Sequence, residues 1–168
     1  MSSAVIGISK AQVTAATAVP AFRLGTVGGY DDPSNGYQEF VYGRAKGAVT
    51  GAGYLCVEET GFDFAMASTT TTAPGAAGHG SRVGAAQAVL ADNEYGWFQI
   101  YGKGSVRTLA SAAKGTRLNS TATAGAVDDD GTAGAEAIVG LVLGTATGAE
   151  AATNADAIFS YPSVGATL

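Results

Sequence analysis

Cysteine, histidine and tryptophan each occur once in this chain, as Cys56, His79 and Trp97. A single cysteine excludes an intrachain disulfide. Its setting in Tyr54-Leu55-Cys56-Val57 reads as a small apolar side chain in a buried strand, with no neighbouring base to make a reactive thiol. A single histidine excludes a His-rich metal site and leaves a Ser-His-Asp triad only one possible base. His79 stands between Gly78 and Gly80, where the sequence offers nothing to orient its ring, so it reads as a solvated loop residue. The nucleophile elbow G-x-S-x-G and the phosphate loop G-x-x-x-x-G-K-[ST] are both missing. The chemistry-bearing residues therefore predict no enzyme, no catalytic residues, no metal and no cofactor.

Charge is also scarce. Only 14% of residues are charged, against roughly 25% in an average soluble domain. Much of the surface must then be neutral or covered by another subunit. The 9 basic and 14 acidic side chains give a net charge of −5, which opposes attraction to phosphate backbones and predicts no nucleic-acid partner. No apolar run approaches the roughly 18 residues that would predict a membrane span. The opening Met1-Ser2-Ser3-Ala4-Val5-Ile6-Gly7-Ile8-Ser9-Lys10 lacks the basic and apolar regions of a secretory signal, so synthesis in the cytoplasm is expected.

Glycine is abundant instead, with 25 among 168 residues. Glycine weakens helix interiors and serves turns, bulges and close backbone approach, so a helix bundle is excluded. Short apolar or alternating runs recur between turn residues. They are Phe22 to Val27, Gln38 to Tyr42, Tyr54 to Glu58, Phe62 to Met66, Val83 to Leu90, Tyr95 to Tyr101, Val106 to Leu109, Ile138 to Leu143 and Ala157 to Tyr161. That rhythm predicts an all-β sandwich or barrel-like domain. Residues 1–20 are small and weakly patterned and read as an extended N-terminal arm. Residues 21–168 read as a single β domain. The clusters Gly28-Gly29-Tyr30-Asp31-Asp32-Pro33-Ser34-Asn35-Gly36 and Asp128-Asp129-Asp130-Gly131 read as turns.

Two aromatic-to-glycine segments echo each other, Phe40-Val41-Tyr42-Gly43-Arg44-Ala45-Lys46-Gly47-Ala48-Val49 and the stretch Tyr95 to Val106. Each reads as a strand turning through a Gly/Lys corner into a second strand, and the pair hints at internal duplication. Strand alternation puts Tyr95, Trp97, Gln99 and Tyr101 on one face, with Phe98 and Ile100 on the other. Tyr and Trp favour surfaces that are partly apolar and partly wet, so this face is equally a core edge or an intersubunit contact, and Tyr95, Trp97 and Tyr101 are the candidate interface residues. Lys103 and Arg107 join them, because they belong with Lys114 and Arg117 to a stretch free of acidic residues, which is either a solvated strand face, as four charges over so many positions suggest, or a contact for an acidic partner. Ile138-Val139-Gly140-Leu141-Val142-Leu143 is apolar on both faces and is expected to be covered on each side. Asp128-Asp129-Asp130-Gly131 resembles the start of a calcium loop, but Thr132 and Val139 stand where further ligands are needed, so an acidic turn is expected. Adjacent Glu58 and Glu59 would point to opposite faces of a strand, a poor arrangement for paired acid-base chemistry.

The ordered motifs Tyr95-Gly96-Trp97-Phe98-Gln99-Ile100-Tyr101-Gly102, Gly115-Thr116-Arg117-Leu118, Gly125-Ala126-Val127 and Ile138-Val139-Gly140-Leu141-Val142-Leu143 together resemble the head-decoration, or capsid cement, proteins of tailed bacteriophages. The resemblance spans roughly residues 37–161 and rests on short motifs and composition, not on one signature. It implies a structural virion protein on the outer surface of the capsid. Such a protein bridges major capsid protein subunits, commonly as a homotrimer, and carries no catalytic residues. The alternative from the residues is a fibre- or spike-type binding module that stacks its aromatic face on a host-surface glycan.

Overall fold

The computed structural model describes residues 7–149 and 151–167, with side chains described to Gly165. It is nearly all β. One helical turn, α1 (Lys10–Val13), precedes ten strands: β1 (Val27–Asp32), β2 (Gly36–Ala45), β3 (Leu55–Glu58), β4 (Asp63–Met66), β5 (Val83–Ala86), β6 (Tyr95–Thr108), β7 (Arg117–Ser120), β8 (Val127–Asp128), β9 (Glu136–Leu143) and β10 (Thr153–Thr167). The strands form one sheet in the order β1-β2-β4-β3-β5-β6-β10-β9-β7-β8, with further pairings of β2 to β6 and of β6 to β8.

Those two pairings close the sheet twice. Strands β2, β4, β3, β5 and β6 make one five-stranded ring, and β6, β8, β7, β9 and β10 make a second, so the long strand β6 belongs to both. Five strands cannot close with antiparallel neighbours throughout; one pair must be parallel. In the first ring that pair is β2 with β4, and in the second it is β6 with β8. Adding four to each strand number of the first ring reproduces the second, pairing for pairing and in the same parallel or antiparallel sense. Ala45 opposite Phe64 corresponds to Thr108 opposite Val127, each 63 residues later. The sequence echo between residues 40–49 and 95–106 thus falls on β2 and β6, which occupy equivalent places.

Alternation along the strands fills the rings. Val41, Ala45, Cys56, Phe64, Ala86, Phe98 and Ile100 form the first core, where Phe64 and Phe98 stack at 4.1 Å. Val106, Leu118, Val127, Ile138, Leu141, Leu143 and Phe159 form the second, joined by Leu55, Val57, Val83 and Ala85 from the opposite faces of β3 and β5. Strands β3 and β5 are therefore the ones covered on both sides. Strand β9, expected to be buried on both faces, is not: Ile138, Leu141 and Leu143 point inward while Val139 and Val142 face solvent.

The Gly/Lys corner expected after Tyr101 is also absent, because β6 runs unbroken through Gly102, Lys103 and Gly104. What the sequence signals there is a bulge. Pairing with β2 shifts register between Glu39 and Phe40, and Gly102 has φ +91°, a left-handed conformation that a side chain would strain. A methyl group at Gly102 would also overlap the Tyr37 carbonyl oxygen. Such bulges bend a strand and raise its twist, which a strand shared by two closed rings requires.

The described part of the N-terminal arm runs over the outer wall of the first ring. Ser9 caps α1 with a reciprocal capping box: its Oγ accepts from Gln12 N at 3.3 Å, and Gln12 Oε1 accepts from Ser9 N at 2.8 Å. Gly7 bridges to Gly29, and Thr17 to Tyr95. Ile8, Val13, Phe22 and Leu24 are thereby laid on Phe40, Tyr42 and Trp97. The first six positions of the arm lie outside the described residues.

Candidate interaction surface

The candidate interface residues separate into two environments. Trp97 is 1% exposed. Its ring lies 5.1 Å from Phe22 and 5.0 Å from Tyr42, both edge-on or tilted. Tyr95 is half-buried beside it, and its backbone N–H donates to Thr17 O at 2.9 Å. The alternation predicted for this strand holds, with Phe98 and Ile100 inward, but the outer face carrying Trp97 is covered by the chain's own residues 8–24. Trp97 is core of the monomer and has no free surface to offer a partner. Gln99, on the same face, is buried as well.

Past the bulge the outer wall is open. Lys103 on β6, Ile158 on β10, Val142 on β9 and Arg117 on β7 stand in one row across four strands. All four are exposed. Above this row, Tyr101 and Tyr161 stack at 5.1 Å, and Tyr37 lies 6.5 Å from Tyr101. Val139 is 57% exposed, Ile158 53% and Tyr161 56%. Isolated exposed hydrophobics are ordinary on a protein surface; a contiguous patch of them marks a contact site.

Tyr161 has φ +50°, uncommon for a residue with a side chain. It sits in the bulge of β10 where pairing with β9 jumps from Phe159 to Ser163. The distortion turns its ring onto Tyr101 and lets its hydroxyl donate to Glu39 Oε2 at 2.8 Å. That hydrogen bond, assisted by burial, pushes the phenol up to about 12. Lys103 Nζ approaches Asp156 at 3.7 Å, and the Arg107 guanidinium lies over the Tyr54 ring at 4.9 Å. Lys103 and Arg107 are thus engaged within the chain, while Val139, Val142 and Ile158 stand exposed.

Ile158, Val142, Val139, Tyr161 and Tyr37 were not candidates from sequence. Ile158 alternates with Asp156 and Ser160, so an apolar residue on a polar face was the available signal. Val139 and Val142 looked buried because an apolar run gives no sign of which side is solvated.

The other singled-out residues take structural places. Cys56 is fully buried in the first core, and burial pushes its thiol far up. His79 is exposed, but its ring is oriented: Nδ1–H donates to Thr72 O at 3.0 Å. Thr72 in turn is buried, with its hydroxyl 2.9 Å from Ser120 Oγ, so the threonine-rich loop is tied to the second ring. In the acidic cluster, Val127 and Asp128 form β8. Asp128 Oδ1 accepts from Asp129 N and Asp129 Oδ2 accepts from Ala113 N, each at 2.9 Å. Glu58 and Glu59 are engaged separately, by Arg82 and by Lys46. Among the described residues no three His, Cys, Asp or Glu side chains are grouped to hold a metal ion, and no helix is long and apolar enough to cross a membrane.

Compared with protein-family models the chain matches none, and none of the curated proteins matches it.

Proposed function

We propose that this protein is a structural component of a phage head. It would decorate the outer capsid surface as a homo-oligomer, a trimer by the resemblance, and bridge neighbouring major capsid protein subunits. The observation that carries the reading is the uncovered wall of the second ring, where Val139, Val142, Ile158, Tyr101 and Tyr161 stand exposed together. A surface of this composition, with aromatic residues and few unpaired charges, fits a protein contact better than a catalytic cleft. The motif resemblance supplies the kind of partner. Many modest contacts repeated over a shell, each linked through the oligomer, would stabilise it by multivalency. Two closed rings with a common strand give the rigid body that such bridging needs.

The reading is tested by counting copies in purified virions. A copy number that saturates the head, in fixed ratio to the major capsid protein, is expected. A few copies confined to the tail would overturn it and favour the fibre- or spike-type glycan module.

A further inference from the structure

Away from the apolar wall, a polar groove opens between the N-terminal segment and the bulge of β6, lined by Lys10, Tyr30, Asp32, Gln38, Gln99 and Ser105. Its floor is unusual in being made of two buried glutamines. Gln99 is 1% exposed and Gln38 5%. Their Nε2 groups converge on one acceptor, the Lys103 carbonyl oxygen, which Gln99 reaches at 3.1 Å; Gln99 Nε2 also lies 3.2 Å from Tyr101 O. That convergence fixes which end of each amide faces the backbone, and so turns each Oε1 the other way. No described residue donates to either Oε1. Neither oxygen is a sealed atom left without a partner. Both acceptors are therefore spare, on residues that line the groove.

The backbone is shaped around this arrangement. Gln99 lies flat across Gly104, and a methyl group there would overlap its Oε1 and Cδ. At the groove's edge Asp32 is held by backbone N–H groups, Ser34 at 2.9 Å and Asn35 at 3.0 Å, and Lys10 Nζ reaches its other oxygen at 3.3 Å. The backbone donors, Ser34 foremost, hold the Asp32 carboxyl below its ordinary range. The Tyr30 ring is fixed by stacking on Phe40 at 5.6 Å.

We infer that this groove binds a single neutral sugar ring through its hydroxyls. Two fixed carbonyl acceptors beside a Lys-Asp pair and a tyrosine match adjacent hydroxyl groups, each of which both donates and accepts. The charges of the groove are compensated, Lys10 by Asp32 and Asp156 by Lys103, so it has no surplus charge to select an ionic ligand. Asp32, already engaged by three donors, and Asp156, paired with Lys103, make a poor cradle for a hard cation, which takes six to eight oxygens. A volume near 210 Å³ suits one ring and not a longer ligand. The source could be a free hexose or the terminal residue of a glycan, and the chemistry recognised is the same.

Saturation-transfer NMR on the full chain with glucose, galactose, mannose and N-acetylglucosamine, each at millimolar concentration, tests this. A parallel arm uses oligosaccharides immobilised through their reducing ends. At least one hexose is expected to show transfer, and retention on the immobilised arm would identify a glycan terminus as the natural form. Gln99→Met is expected to weaken binding about tenfold, in keeping with one or two lost hydrogen bonds. Lys10→Met, at a side chain 72% exposed, should weaken it without touching the fold. No transfer from any of the four sugars overturns the inference, as does binding that Lys10→Met and Gln99→Met both leave unchanged. The isolated protein is used, so the result is independent of the copy number on heads that decides the capsid reading.

Discussion

The two rings have one topology and opposite treatments of their outer walls. In the first, Phe40, Tyr42 and Trp97 face outward and the chain covers them with its own residues 8–24. In the second, the equivalent stretch of β6 carries Lys103, which is exposed, and Ser105 and Arg107, which are half-buried. Residues that pack are placed where the arm passes, and polar ones where it does not, as burial energetics dictate. The exceptions are Val139, Val142, Ile158 and Tyr161, apolar or aromatic residues on the uncovered wall. Their placement is what the contrast teaches, because the same fold covers such residues within the chain on one ring and leaves them exposed on the other.

Substitutions should separate the walls by size of effect. Trp97→Ala removes a fully enclosed ring and is expected to cost about 3–5 kcal/mol in urea denaturation followed by circular dichroism. If Trp97 were a partner contact instead, stability would hold and the oligomer would dissociate. Gly102→Ala strains the left-handed bulge and should cost about 1–3 kcal/mol, transmitted to both rings through β6, so that unfolding remains a single transition. Two separate transitions would show that the rings are independent.

The tyrosine cluster provides a pH signature. The folded-state value of Tyr161, raised to about 12, lies above the ordinary phenol value near 10. Its contact with Glu39 therefore adds stability that is whole below pH about 10 and is lost as pH rises through about 12. Ultraviolet difference titration should find Tyr161 ionising late, with Tyr30 and Tyr37 also raised, and Glu39→Gln should bring Tyr161 down. A titration unchanged by Glu39→Gln would break this link. The smallest effect is expected at Val142→Ser, within about 0.5 kcal/mol, because its side chain is open to solvent. A loss comparable to that of Trp97→Ala would mean that the second wall is covered after all.

How far the sequence discloses this follows from the range of its signals. Strands β3, β4 and β9 were legible because apolar runs are bounded by Gly, Asn or Asp, and the all-β class follows from their rhythm. Strand β1 was missed because Gly28-Gly29 and Asp31-Asp32 carry turn chemistry, and the partner strand β2 overrides it through a full ladder from Val27 to Asp32. Strand β8 was hidden in the acidic cluster for the same reason. Ring closure left no local trace, since the parallel pairs that complete it involve two residue pairs in one ring and one in the other. On the candidate surface, the paired strand faces around Trp97 were readable from alternation. Which face the arm covers was not, because Ile8, Val13, Phe22 and Leu24 follow no regular spacing.

The uncovered wall as the capsid contact is tested most directly by occupancy on purified heads for Ile158→Asp beside the unmodified protein. With the melting temperature unchanged, occupancy is expected to fall at least tenfold, since a carboxylate would have to lose its water in an apolar contact. Heads carrying the folded variant at full occupancy would contradict the assignment of this wall.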